Sequence, residues 1–284
     1  MRDNGSRATT TAIPLSAPAS ATAESLKRLA SVYLAGIVVA EISVAFFDLT
    51  AGVLLHALLV LMLLNHYLFA RVSLRADPGS EGRRGEPADV LLVLPLVSLL
   101  RIVSVTVVLE EVPEIYQYAV AGTPVLLSAV AASRSVRGAS IARRLRSWSW
   151  RTQLPIAVSG VPLGYLGFVL ARPESAFAHV TPANALLGAA ILVVFTGFAE
   201  EIVFRGLLQD ALTAVFGAGG LLASSALFAA AYLGAGPAGY VVFAACLGLA
   251  FAWLVRRTGS LLGVSIAHGL LNVGLILVWP SVIG

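Results

Sequence analysis

The sequence predicts an all-α fold: a polytopic bundle of about nine transmembrane helices with a cytoplasmic N-terminus. Three observations predict it: a composition too apolar for water, a series of apolar runs of spanning length, and arginines confined to alternate loops. Of 284 residues, 58% are hydrophobic and 12% charged, with a mean hydropathy of +0.89. A soluble domain has about a quarter of its residues charged, so that class is excluded. One cysteine, Cys246, excludes an intramolecular disulfide framework and any multi-cysteine metal site. Lying in an apolar run, it reads as a small packing residue.

The elements follow in chain order. Residues 1–26 are rich in Ala, Ser, Thr and Pro and read as a disordered cytosolic tail. Lys27 and Arg28 then precede an apolar stretch long enough to span, so it is an uncleaved first helix rather than a signal peptide. The expected spans are 29–47, 51–70, 88–109, 115–133, 153–171, 183–204, 218–234, 238–255 and 260–279.

The loops check this count independently, because Lys and Arg concentrate on the cytoplasmic side. One set of segments holds Arg2, Arg7, Lys27 and Arg28, then Arg71, Arg75, Arg83 and Arg84. It continues with Arg134, Arg137, Arg143, Arg144, Arg146 and Arg151 and ends with Arg256 and Arg257. The other set holds Arg172 alone, with Glu110, Glu111 and Glu114 in an acidic turn. The stretch RRLRSWSWR at 143–151 suits a headgroup-level anchor on anionic lipid. It divides an N-terminal four-helix block, 27–152, from a C-terminal block, 153–284. The net charge of +4 follows from these loops and implies no nucleic-acid partner. The bilayer is the partner it implies.

Charged groups inside hydrocarbon cost several kcal/mol, so they pair or line a water-filled cavity. The C-terminal block carries a short set of them. The sixth span ends in Glu200, Glu201 and Arg205; the seventh has Ser224, Ser225 and Tyr232; the ninth has Ser265, His268 and Asn272. Glu201 and Arg205 are four apart with the acid first, the favourable order for an intrahelical pair. Glu200 is turned about 100° away and need not share that arginine. His268 and Asn272 project from one face. Each alone is as well explained by an ion pair at a helix end or a polar cross-link between helices. Together they read as a buried polar site.

Glu200-Glu201-x-x-x-Arg205, a phenylalanine-led second motif, and His268-x-x-x-Asn272 about 63 residues after the arginine resemble the CPBP family. These are intramembrane glutamic endopeptidases that include the CAAX protease and Abi-type proteins. The resemblance covers roughly 155–280; the first four helices carry no motif of it. It implies a helical membrane bundle whose active site opens to the cytosolic side, in keeping with Glu200 near the cytoplasmic end of a span 183–204. It further implies that Glu200 acts as general base on a water, that Glu201 and Arg205 form a supporting pair, and that His268 and Asn272 donate to the oxyanion. A carboxylate in an apolar cavity is a better base than one in water, and oxyanion stabilisation usually contributes most to the rate of acyl transfer.

One position departs from the pattern. The second motif is ordinarily FxxxH, with a histidine that helps hold the water; here it is Phe228-Ala-Ala-Ala-Tyr232. A tyrosine hydroxyl can orient a water, but with a pKa of about 10 it does not readily accept a proton. His56, His66 and His179 lie elsewhere in the sequence. The chain is therefore expected to be an intramembrane protease with an altered water site. The alternative is a catalytically degenerate relative acting in immunity, regulation or scaffolding.

Two other classes compete. Glu200, Glu201 and His268 could ligate a divalent ion, but no HExxH is present and no metal or cofactor is expected. A transporter would line its path with such charges, but no inverted repeat is evident. Arg101 could serve function, but pairing with Glu41 of the first span is an equally good structural account. The glycines of GVPLGYLG and Gly259-x-x-x-Gly263 read as close helix contacts. Arginine outnumbers lysine 18 to 1, which points to a GC-rich bacterial genome and a cell-membrane location. Prenylated CAAX substrates are then not expected, and other membrane-associated proteins or peptides are.

Overall fold

A computed structural model of the chain describes residues 19–76, 88–107, 109, 112–136, 141–147, 149–174 and 181–283. The elements are α1 (Ala19–Phe46), α2 (Leu49–Ala76), α3 (Asp89–Thr106), α4 (Glu114–Ser135), the short α5 (Ile141–Arg146) and α6 (Trp150–Ala171). They continue with α7 (Pro182–Phe216), α8 (Gly219–Ala230), α9 (Ala238–Thr258) and α10 (Leu262–Ile283). No strand occurs among the described residues. Eight of these helices are long and apolar enough to cross a membrane, so the protein is a polytopic all-α membrane bundle.

Local chemistry sets several boundaries. Asp48 accepts a 2.6 Å hydrogen bond from the Ala51 amide at the start of α2. Thr181 and Asn184 form a reciprocal capping box at the head of α7, with Pro182 in its first turn. α9 ends at Gly259, whose φ of +69° closes the helix in the left-handed region. Gly259 was expected to let helices approach; it has nothing within 4 Å and serves as a cap instead. The tail expected to run to residue 26 is already helical from Ala19, and residues 1–18 lie outside the described residues.

Two spans differ from expectation. The sixth was expected to end at 204, but α7 runs to Phe216 without a break, so the Glu-Glu-Arg motif stands mid-helix. The helix need not end at its charges because they are neutralised inside the bundle. The seventh, expected over 218–234, is helical only over Gly219–Ala230. Twelve residues rise about 18 Å, short of the roughly 30 Å of hydrocarbon. The turns of 231–237 carry the chain onward. Arg101 donates to the Leu233 carbonyl there, and a Cβ on Gly234 would lie 3.1 Å from that of Ala45.

The ends of the helices define two faces. At one, Arg144 pairs with Asp210 at 2.7 Å, its carbonyl accepts from the Leu261 amide, and Gln153 accepts from the Gly263 amide. Arg134, Arg143, Arg146, Arg151, Arg256 and Arg257 belong to this arginine face. Arg144 was expected to anchor on lipid; it ties α5 to α7, while exposed Trp150 carries Arg151 over its ring. Trp148 lies outside the described residues. At the opposite face lie Asp48, Glu114, Arg172 and Glu174.

One core runs through both halves of the chain, with α7 at its centre against α3, α4, α8 and α10. Gly160 and Gly164 bring α6 onto the backbone of Ala267 and Leu271, the close packing expected of them. Gly197 of α7 also crosses α10 at backbone contact: a Cβ there would sit 2.7 Å from the Gly269 Cα and the Ser265 carbonyl. Cys246, read as a small packing residue, is exposed on α9.

Candidate functional site

The Gly197 crossing places the charged turn of α7 against the polar turn of α10. The three residues Ala199–Glu201 form an α-helical stretch between two π-helical ones, Leu192–Phe198 and Ile202–Leu208. Such wide turns occur frequently at functional sites. They alter the angular offset along α7 so that Thr196, Glu200 and Glu201 face α10 and α8 together.

Glu201 is fully buried, and its Oε1 accepts from Arg205 Nη1 at 2.8 Å and lies 2.9 Å from His268 Nδ1. The guanidinium of Arg205, 1% exposed, is 4.1 Å from the centroid of Phe228 and also near Phe204 and Phe251. Its Nη2 donates to the Gly248 carbonyl. A charge this deep is compensated by one full carboxylate, one carbonyl and three ring faces.

Glu200 is placed differently. Its side chain is 16% exposed, and Oε2 accepts from the Tyr232 hydroxyl at 3.3 Å. His268 Nε2 stands 3.9 Å from the same oxygen, too far for a direct bond, and makes no hydrogen bond to the protein. With Nδ1–H donating to Glu201, Nε2 is the ring nitrogen left facing Glu200. Phe228 packs edge-on against His268 and tilted against Tyr232, fixing both rings. Asn272 donates through Nδ2 to Thr196 Oγ1 at 2.8 Å, and Thr196 in turn donates to the Leu192 carbonyl.

Glu200, Tyr232, Thr196 and Asn272 line a cavity of about 380 Å³. Arg101, Tyr118 and Tyr240 are on its wall. Ser104, Val105, Pro173 and Ala235, toward the helix ends opposite the arginine face, also line it. On the arginine side, Phe204, Leu207, Leu208, Phe228, Phe251 and Leu261 are at most 2% exposed and fill the bundle.

All six residues expected at the site converge: Glu200, Glu201, Arg205, Tyr232, His268 and Asn272. Two of the expected contacts are redistributed. His268 bonds to Glu201 rather than pointing a free N–H at the cavity, and Tyr232 bonds to Glu200 itself. Thr196 was missed, although it lies four residues before Glu200 and so on the same side of a helix. Arg101 pairs with Glu41 as expected, and His56 completes that buried group 3.7 Å from Glu41. Arg101 also lies on the cavity wall. Glu200, Glu201 and His268 do not gather as ligands, and among the described residues no three His, Cys, Asp or Glu could hold a metal ion. His179 lies outside the described residues.

A multi-pass helical membrane protein with a buried carboxylate–imidazole cluster under a cavity is the class these observations define. Residues 182–274 match the family model Rce1-like, described as type II CAAX prenyl endopeptidase Rce1-like, about a third of the chain. This segment, which is similar to that family, holds Glu200, Glu201, Arg205, Tyr232, His268 and Asn272. No curated protein and no solved structure matches the chain.

Proposed function

We propose that the protein is an intramembrane endopeptidase that hydrolyses a peptide bond of a membrane-associated protein or peptide with a water activated by Glu200. The observation that carries this reading is the division of labour between adjacent carboxylates. Glu201 Oε1 is committed to Arg205 and His268, whereas Glu200 faces the cavity with Oε2 beside an imidazole nitrogen that has no protein partner.

A water held between Glu200 and His268 Nε2 would lose its proton to Glu200 as its oxygen bonds to the scissile carbonyl carbon. The C–N bond then breaks, and the proton passes to the departing amine. The Asn272 amide has two N–H groups and uses one on Thr196; the second serves the oxyanion. His268 can join it as a donor only when the ring carries both protons. Otherwise it helps orient the water. Glu201 and Arg205 hold His268 in place and touch no reacting atom.

Tyr232 favours a second reading. Its hydroxyl donates to the oxygen of Glu200 that would meet the water, which suits a degenerate relative whose membrane role is regulatory or structural. The test is the full-length chain in proteoliposomes with host membrane proteins, newly formed N-termini being read by mass spectrometry. Termini produced by wild type and lost with Glu200→Gln, at unchanged thermal stability, are the expected result. Identical termini from both would leave the degenerate reading standing.

A further inference from the structure

Tyr232 donates to Glu200 Oε2, yet it does not stand on a helix. α8 ends at Ala230, and the chain then turns. In these turns the Tyr232 amide donates to the Ala229 carbonyl, and the Tyr232 carbonyl accepts from the Ala235 amide. Gly234, at a φ of +78°, lets the backbone reverse. A short turn has few hydrogen bonds of its own, so the tyrosine's place depends on the elements that receive it.

Those elements are α1 and α3, from the half of the chain that precedes the motifs. Arg101 of α3 donates through Nη2 to the Leu233 carbonyl at 3.4 Å and through Nε to Glu41 Oε2 of α1 at 2.5 Å. The Arg101 side chain is 11% exposed and that of Glu41 is fully buried, so a charge-assisted bond away from water fixes the guanidinium. His56 Nε2 stands 3.7 Å from Glu41, and its Nδ1 lies 3.2 Å from Ser98 Oγ. Gly234 meets Ala45, one turn along α1 from Glu41. The path through His56, Glu41, Arg101 and Leu233 thus ends at the residue next to the one that touches Glu200.

We infer that Arg101 is a positioning residue of the site: held by Glu41, it pins the turn after α8 and so seats the Tyr232 hydroxyl on Glu200. This stands on the contacts themselves; only its bearing on turnover rests on the protease reading. Arginine suits the task because one planar guanidinium serves two acceptors in different elements. A lysine keeps the charge opposite Glu41 but has a single compact head. The helices before the motifs are, on this account, part of the site.

Fluorine NMR tests the seating without any turnover. 3-Fluorotyrosine placed at position 232 of the full-length chain in detergent gives a resonance that responds to what its hydroxyl meets. Glu200→Ala supplies the unbonded reference. Arg101→Lys should move the resonance most of the way to that reference while the protein keeps a cooperative thermal transition. Gly234→Ala should do the same with the Arg101–Glu41 pair intact, because its Cβ would lie 3.1 Å from that of Ala45 at a φ of +78°. Asp210→Asn, which breaks an ion pair elsewhere on α7, should leave the resonance at its wild-type position. An unmoved resonance in folded Arg101→Lys overturns the inference, and so does one unmoved in Gly234→Ala where Arg101→Lys does not fold. Shifts as expected, together with cleavage indifferent to Glu200→Gln, would remove the protease reading alone.

Discussion

Replacing Gly197 by alanine adds one methyl group and alters no polar atom, yet it should disable the site. The new Cβ would stand 2.7 Å from the Gly269 Cα and N and from the Ser265 carbonyl, where ordinary contact is 3.4–4 Å. All three obstacles are backbone atoms, so no side chain can rotate away; α7 and α10 must separate by about 0.7 Å at the crossing. The His268–Glu201 contact is 2.9 Å. The same retreat takes it to about 3.6 Å, beyond a hydrogen bond. Overpacking of this kind costs about 1–3 kcal/mol, and a misplacement approaching 1 Å costs about 10²-fold in rate. Thermal unfolding in detergent and cleavage in proteoliposomes give the two readouts. Gly239→Ala is the control, because its Cβ would meet only Leu170 Cδ2 at 3.8 Å. Since both changes act on one contact, Gly197→Ala and His268→Ala should combine less than additively in stability, with a coupling of about 0.5–3 kcal/mol. A Gly197→Ala protein that melts and cuts like Gly239→Ala would refute the crossing as the device that builds the site.

Three further outcomes are expected. Glu201→Gln removes the charge facing a 1% exposed guanidinium and should lower stability by about 3–5 kcal/mol in detergent unfolding. Breaking the pair of Arg144 with half-exposed Asp210 through Asp210→Asn should cost about 0.2–1 kcal/mol by the same measurement; an equal cost for the two would contradict the assigned burial. Tyr232→His frees Glu200 Oε2 from the phenol and supplies an imidazole, so turnover should rise in the proteoliposome assay. If it does not rise while Glu200→Gln is inactive, the tyrosine already suffices.

The helical membrane class was legible because hydrocarbon imposes a local rule: about 20 apolar residues per crossing, with charges kept outside or paired. The motif residues were legible too, since charges in an apolar chain are conspicuous and helical spacing tells which of them share a face. Glu201–Arg205 and Arg101–Glu41 are pairs the sequence announces. What it could not announce is where a helix continues through its charges. α7 passes Arg205 to Phe216 because Glu201, Gly248 and three aromatic rings meet that arginine, and Gly248, Phe228 and Phe251 come from other helices. The shortness of α8 is likewise decided by α1 and α3, which receive the turns after it. The same holds for the division of roles at the site. Adjacent glutamates are chemically identical in the sequence; one is sealed and one faces a cavity only because Gly197 lets α10 come within backbone contact on one side of α7. The cavity is lined by residues brought together from distant segments, and no short-range pattern records it.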